Sequence, residues 1–131
     1  MESKIYSITV TVTPAQTARA MESGSLKVLA TPALIALMEQ AACGCAAMLL
    51  PEGQTSVGTE VNIRHIAATP VGMQVTATAE LIGMEGRTLT FSVKAHDAAG
   101  LIGEGTHTRV MVDAERFQYK TDRKLLSQQE V

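Results

Sequence analysis

The sequence predicts an α+β fold in which an antiparallel sheet of about five strands wraps around one long central helix. The first observation is a continuous apolar stretch of helical length, residues 31–50. The second is a set of five segments, one before this stretch and four after it, in which apolar and polar residues alternate with the period of a half-buried strand. The third is the turn chemistry between the last strands, which favours hairpins and therefore an antiparallel sheet.

The central helix is predicted to begin at Thr31 and to end before Pro51. A threonine oxygen can accept a hydrogen bond from an early backbone N–H, and Pro32 would suit the first helical position. Aliphatic residues and alanine leave the helix without a polar face, which is typical of a helix buried on all sides. A membrane span is the alternative, but two polar residues at the centre, Glu39 and Gln40, disfavour it.

Glu39 is the most informative residue of this helix. A carboxylate taken out of water is costly unless it is paired or its pKa shifts, and such groups concentrate at functional sites. Structural ion pairs have the same properties, so a side chain that reaches solvent or a partner subunit is the alternative interpretation.

Strands are predicted at residues 4–13, 57–67, 73–84, 87–96 and about 101–117, the last four joined by hairpins. Gly103 and Gly105 predict a bulge in the last strand. Residues 14–30 are mixed in composition and are a candidate lid. The polar residues 118–131 are predicted to be a frayed tail.

Length and composition exclude several classes of protein. The 131 residues fit a single domain, 1–131, and a formal net charge of -2 with no Trp disfavours nucleic-acid binding. The N-terminus lacks the apolar run of a signal peptide, so we expect a cytoplasmic protein. Cys43 and Cys45 are too few for a metal site and cannot bridge within one helix, so we interpret them as small buried hydrophobes.

Three separated motifs, TPALIALMEQA, SVGTEVNIRHIAATPVGMQVTATAEL and EGRTLTFSVKAHDAAGLIGEGTHTRVMV, resemble the fluoroacetyl-CoA thioesterase-like group of hotdog-fold enzymes. The resemblance covers about residues 28–115. It implies a hotdog fold and hydrolysis of a small or short acyl-CoA thioester to the free acid and CoA. It also implies a homodimer with active sites at the interface and no cofactor besides the CoA thioester substrate; pairing of dimers into a tetramer stays open.

The resemblance further implies the site residues. The family's catalytic set is a threonine at the head of the helix, a glutamate eight residues on and a histidine on the following strand, which correspond to Thr31, Glu39 and His65. Gly58 matches the glycine that positions the thioester carbonyl, and Arg109 matches an arginine on the last strand. Both are expected to bind substrate, and no metal is expected.

These residues suit thioester hydrolysis. Glu39 could attack the thioester directly or deprotonate water, and His65 could orient the nucleophile or protonate the leaving thiolate. Arg109 could pair with the CoA phosphates or with a carboxylate at the site. Further candidates for the phosphates are Arg64, Arg87 and Lys94, whereas His96 and His107 match no family position and are interpreted as structural or surface residues.

Thr31 and Glu39 raise a geometric question, because eight residues of straight helix rise about 12 Å. We therefore favour the hypothesis that Thr31 meets Glu39 of a second subunit. Fluoroacetyl-selective members carry a phenylalanine in their lid, whereas the first phenylalanine here is Phe91, so the resemblance does not predict that selectivity.

Two other functions compete with thioester hydrolysis. Hydration of an enoyl thioester is disfavoured, because the Asp-x-x-x-x-His arrangement of that hotdog branch is missing. A non-catalytic module that binds an acyl-CoA or a small acid is the alternative from a different class.

Overall fold

The computed structural model describes residues 4–129 and confirms the predicted α+β fold. The strands are β1 (Ile5–Thr11), β2 (Gln54–His65), β3 (Gln74–Glu85), β4 (Thr88–Asp97) and β5 (Gly100–Asp113). The α-helices are α1 (Thr31–Ala47) and α2 (Ala114–Asp122), and short 3-10 turns occupy Pro14–Gln16 and Arg123–Gln129. One antiparallel sheet with the order β1-β3-β4-β5-β2 packs against α1.

The hairpins that join β3 to β4 and β4 to β5 form where the turn residues predict them. The prediction of a hairpin between β2 and β3 is wrong. The connecting residues 66–73 include Pro70 and Gly72 and are too many for a two-residue turn. The chain instead crosses the sheet, so β2 pairs only with β5 and forms an edge.

Helix α1 buries one face against the sheet and leaves the other exposed. The buried residues are Ala33, Leu34, Leu37, Met38, Ala41, Ala42, Cys45 and Ala46. The opposite face, which includes Ala36, Gln40 and Cys43, is exposed in the single chain. The prediction of burial on all sides is therefore wrong for one chain, and so is the burial of Cys43. Cys45 is buried as predicted, and this burial raises the pKa of its thiol.

Small residues on the sheet let α1 approach closely. A Cβ at Gly103 would lie 2.8 Å from Leu34 Cδ2, so only glycine fits there. The predicted bulge lies beside this glycine, since Ile102 is the extra residue where the pairing of β4 with β5 shifts. Phe91 and Ile102 fill the core between the helix and the sheet.

The C-terminal segment differs from the prediction. Strand β5 ends at Asp113, because a carboxylate oxygen of Asp113 accepts a hydrogen bond from the backbone N–H of Arg116 at 2.9 Å and caps α2. The segment predicted as an extension of the strand and a frayed tail is therefore helical through residue 129, although its side chains are exposed up to residue 128. Residues 130–131 lie outside the described part.

Residues 14–30 begin with the turn Pro14–Gln16 and are held by bridges from Thr17 to Leu29 and from Val28 to Pro70. The role of this segment as a lid stays a prediction. Across residues 4–129, neither helix has the length and apolar character needed to cross a membrane.

Candidate active site

The five predicted site residues lie on α1, β2 and β5 and form two separate groups. One group is the pair of Thr31 and His65, at the start of α1 and the end of β2. The other brings Glu39, Gly58 and Arg109 together, farther along the same helix and strands. Thr31 and Glu39 are two helical turns apart, about 12 Å along the axis, so one chain keeps the two groups apart.

The hydroxyl of Thr31 is hydrogen-bonded to Nδ1 of His65 at 2.8 Å. The prediction that Thr31 caps the helix is wrong, because the N-cap is Ala30 and no side chain bonds the first turn. The N-cap is one residue earlier than predicted, and the N–H of Ala30 donates to the carbonyl of Gln16 at 2.9 Å. The Thr31 hydroxyl is therefore available to the histidine.

His65 is half-buried, and this burial lowers the pKa of its imidazole. Its Nε2 atom is buried and has no hydrogen-bond partner among the described residues. A hollow of about 270 Å³ lies beside it, lined in part by Thr31, Val28 and Ala67. A buried polar nitrogen without a partner is uncommon in a folded protein, so this atom is suited to bind a group supplied from outside the chain.

The carboxylate of Glu39 lies over Gly58, where β2 has a bulge at Thr59. A Cβ at Gly58 would be 2.8 Å from Glu39 Oε2, so the carboxylate occupies the space that any side chain at this position would need. The side chain of Glu39 is 43% exposed and lines a cavity of about 200 Å³. The carboxylate is therefore close to the backbone of an edge strand and open to a small ligand.

Beneath Glu39 lies His107, a residue that the sequence analysis assigned no role at the site. It is 1% exposed, and its Nε2 is 4.0 Å from Glu39 Oε2. Because a carbonyl only accepts, His107 Nδ1–H donates to the carbonyl of Glu60 at 2.8 Å. Because a guanidinium only donates, Arg109 Nη1 donates to His107 Nε2 at 3.2 Å. These two bonds require a neutral ring with the proton on Nδ1.

The signal for His107 was its spacing from Arg109. Residues two apart on a strand share a face, so an assignment of Arg109 to the site also brings His107 to it. His96, by contrast, is an exposed residue, as expected.

Arg109 is 7% exposed and lies within the sheet's inner face. Its Nε donates to Ser56 Oγ at 2.8 Å and its Nη2 to the carbonyl of Ser56 at 2.9 Å. With the bond to His107, three of its five N–H groups donate to partners within the sheet. A direct role toward the CoA phosphates does not fit this burial, whereas a role in holding His107 and the floor of the Glu39 cavity does.

Known proteins resemble this chain over most of its length. A family model described as FlK, fluoroacetyl-CoA-specific thioesterase, matches residues 12–115. A fluoroacetyl-CoA thioesterase from Streptantibioticus cattleyicolor is 44% identical over 98 residues, which are 75% of this chain and 70% of that protein.

Solved structures agree with these matches. A threonine-to-serine mutant of FlK in complex with acetyl-CoA superposes with a TM-score of 0.88 at 37% identity, over 95% of this chain and 98% of that one. A Thermus thermophilus protein of the thioesterase superfamily gives 0.88 at 30% identity, over 99% of this chain and 96% of that one. The family match spans both groups of site residues. The chain thus belongs to the fluoroacetyl-CoA thioesterase family of hotdog-fold thioester hydrolases.

Proposed function

We propose that this enzyme hydrolyses a small or short acyl-CoA thioester at an active site that two copies of the chain complete. The observation that carries the proposal is the division of the site into two half-sites. One holds Thr31 and His65 with an unpartnered Nε2, and the other holds Glu39 above Gly58. Each half-site lacks the groups that the other has, and acetyl-CoA bound to the related FlK mutant supports a small acyl group.

The open edge of β2 supports a homodimer. This strand is 12 residues long, pairs on one side only, and leaves Val61 42% exposed. Long edge strands with exposed apolar residues tend to pair with another chain. The exposed face of α1 is mostly small and apolar, and Ile35 and Glu39 at its border line one cavity with residues 58–61 of β2, so this face could pack against a second copy.

The register of such a dimer follows from the half-sites. If two β2 strands pair antiparallel so that His65 lies opposite Gly58 of the second copy, and Thr59 stays the extra residue of its bulge, the two-fold axis passes at Asn62. Paired Cα atoms are about 5 Å apart across antiparallel strands. This register would bring Thr31 and His65 of one copy to the Glu39 carboxylate of the other, twice per dimer.

Hydrolysis at this composite site follows one of two routes. In the first, Glu39 takes a proton from water, the water oxygen bonds to the acyl carbon, the C–S bond breaks and the thiolate receives a proton. In the second, a Glu39 oxygen bonds to the acyl carbon, the C–S bond breaks and the CoA thiolate leaves and takes up a proton; water then cleaves the resulting anhydride to the free acid and restores the carboxylate. In both routes His65, whose pKa is lowered by burial, can hold the Thr31 hydroxyl at one nitrogen and a substrate or proton at the other.

The acyl group is proposed only as small or short. The candidate lid, residues 14–30, has no phenylalanine, and Phe91 lies in the core, so nothing in this chain argues for fluoroacetyl selectivity. The cysteines of α1 are free thiols and Cys43 is exposed, which suits a reducing compartment such as the cytoplasm.

Thiol release from a panel of acyl-CoAs, from acetyl to medium-chain, aryl and halogenated, tests the activity. We expect at least one to be hydrolysed by the wild type, and a loss of orders of magnitude in Glu39→Gln. A blank without substrate corrects for Cys43 and Cys45. Binding of CoA esters without turnover would instead indicate the non-catalytic binding module.

Mixed dimers test the shared site. We would co-express His65→Ala and Glu39→Gln chains carrying different affinity tags and isolate the heterodimer. A shared site leaves one of the two sites with both native residues, so the heterodimer should recover about half of the wild-type activity, while each mutant homodimer stays inactive. A heterodimer as inactive as its parents would show that each site is built from one chain.

A further inference from the structure

A second groove, of about 320 Å³, opens on the inner face of the sheet where α2 leaves β5. Its lining includes Gln54 of β2, Met111 of β5, Arg87 from the hairpin before β4, and Arg116, Phe117 and Lys120 of α2. The catalytic half-sites do not use this groove.

The groove concentrates positive charge in a chain whose formal net charge is -2. Arg87, Arg116 and Lys120 are exposed, and none of them makes a salt bridge within residues 4–129. The one carboxylate in the lining, Asp113, caps the helix through its bond to the Arg116 N–H. Several unpaired guanidinium and ammonium groups around one groove are suited to bind phosphate groups.

Phe117 adds an apolar surface among these cations. Its side chain is 44% exposed, and it lies between Arg116 and Lys120 on the helix. An exposed aromatic ring beside phosphate-binding cations is suited to stack on a nucleic-acid base. Charge and stacking together favour a nucleotide as the ligand.

The position of the groove relates it to the Glu39 cavity. Gly58 pairs with Arg109 and Gln54 pairs with Asp113, so the groove begins four residues along the same two strands. Four strand residues span about 13 Å. The pantetheine arm of CoA has a backbone about as long as four residues of extended chain. A thioester at Gly58 whose pantetheine arm runs along these strands toward Gln54 would therefore reach the groove with its diphosphate.

We propose that this groove binds the phosphorylated adenosine diphosphate portion of the CoA substrate, through Arg87, Arg116 and Lys120 for the phosphates and Phe117 for the adenine. This assignment rests on the proposed function, because it requires an acyl-CoA at the Glu39 cavity. It also separates the phosphate candidates that the sequence suggests. Only Arg87 reaches the groove, whereas Arg64 and Lys94 line a hollow on the outer face of the sheet.

The test is calorimetric binding of CoA and of pantetheine to the full chain. In Arg116→Ala/Lys120→Ala we expect CoA to bind about tenfold more weakly, while pantetheine binds as it does to the wild type. The matched control is Arg64→Ala/Lys94→Ala, which removes the same charge from the outer face and should bind CoA normally. Phe117→Ala should weaken CoA binding and Phe117→Tyr should restore it.

Kinetics give a second readout where turnover is present. The groove variant should raise KM for acetyl-CoA about tenfold with little change in kcat, and should leave acetyl-pantetheine hydrolysis unchanged. Unchanged CoA binding by the groove variant would overturn the assignment, as would an equal loss for CoA and pantetheine. A KM increase confined to a thioester on an acidic carrier protein would overturn it too. Calorimetry needs no turnover, so an inactive protein that binds CoA through the groove would refute the proposed function alone.

Discussion

Replacement of Gly58 by alanine should abolish most of the activity and leave the fold intact. The added Cβ would lie 2.8 Å from Glu39 Oε2, 3.0 Å from His107 Cε1 and 3.3 Å from Arg109 Nη1. His107 and Arg109 are buried and held by hydrogen bonds, so they cannot move far. The half-exposed Glu39 can, and its carboxylate must retreat by about 0.6 Å to reach an ordinary contact distance of 3.4 Å.

A displacement of this size is enough to affect catalysis, since misplacing a reacting group by about 1 Å can cost about 10²-fold in rate. We expect kcat/KM to fall about 10-fold to 100-fold in Gly58→Ala. The free energy of unfolding should fall by about 1 to 2 kcal/mol, because the tip of Glu39 can move away from the new Cβ whereas the His107 ring, 3.0 Å from it, is fixed. Thiol release from the preferred acyl-CoA and urea denaturation measure the two quantities.

Gly83→Ala is the matched control, because a Cβ there would meet only Thr90 Cβ at 3.8 Å. It makes the same chemical change in β3, away from the site, and should keep wild-type kcat/KM. Wild-type activity in Gly58→Ala would refute the view that the close approach of Glu39 to this backbone matters for catalysis. Cooperative unfolding lost in both variants would instead point to a general intolerance of alanine in the sheet.

Three further predictions concern the residues around the two half-sites. Thr31→Ala should lower kcat/KM about 10²-fold, and Thr31→Ser should restore activity. Because Thr31 does not cap α1, the free energy of unfolding of Thr31→Ala should change by less than about 0.5 kcal/mol. A loss of stability of about 1 kcal/mol would show a capping role. Because burial lowers the pKa of His65, the unfolded chain binds a proton at this histidine before the folded chain does as pH falls below about 6.5. Urea denaturation should therefore show that the wild type loses stability between pH 7.5 and 5, and that His65→Gln loses less. Equal losses in the two proteins would contradict this. Arg109→Lys should lower the free energy of unfolding by about 2 to 3 kcal/mol, because one lysine cannot donate hydrogen bonds to both Ser56 and His107. The control is Arg87→Lys in the exposed groove, which should leave the melting temperature unchanged.

Local patterns predicted most of the fold because local chemistry determines it. Alternation placed the strands, and Gly86, with φ 60°, lies in the turn that ends β3 and leads into β4. The predictions fail where a competing local interaction, or a strand distant in sequence, determines where an element ends or which strand it pairs with. Asp113 ends β5 by capping α2, which strand alternation does not reveal, and β2 pairs with β5 across the sheet because its own connection is too long for a hairpin.

The candidate site was predictable in its parts but not in its grouping. The matched residues follow from the motifs, yet the pairing of Thr31 with His65 depends on Ala30, and not Thr31, being the N-cap of α1. The role of His107 depends on two acceptor and donor partners that only the packed sheet brings together. Neither the helix register nor the side-chain tautomer can be inferred from residue type alone.

The wrong prediction about α1 is itself informative. The sequence has no polar face at this helix apart from Glu39 and Gln40, and a helix of this kind is normally buried on all sides. In one chain the sheet covers only one face of it, and Ile35 and Glu39 at the border of the uncovered face share a cavity with residues 58–61 of the edge strand β2. A second copy paired along β2 would cover that face and supply the groups that each half-site lacks. The apolar pattern of α1 and the divided site therefore both agree with the proposed dimer.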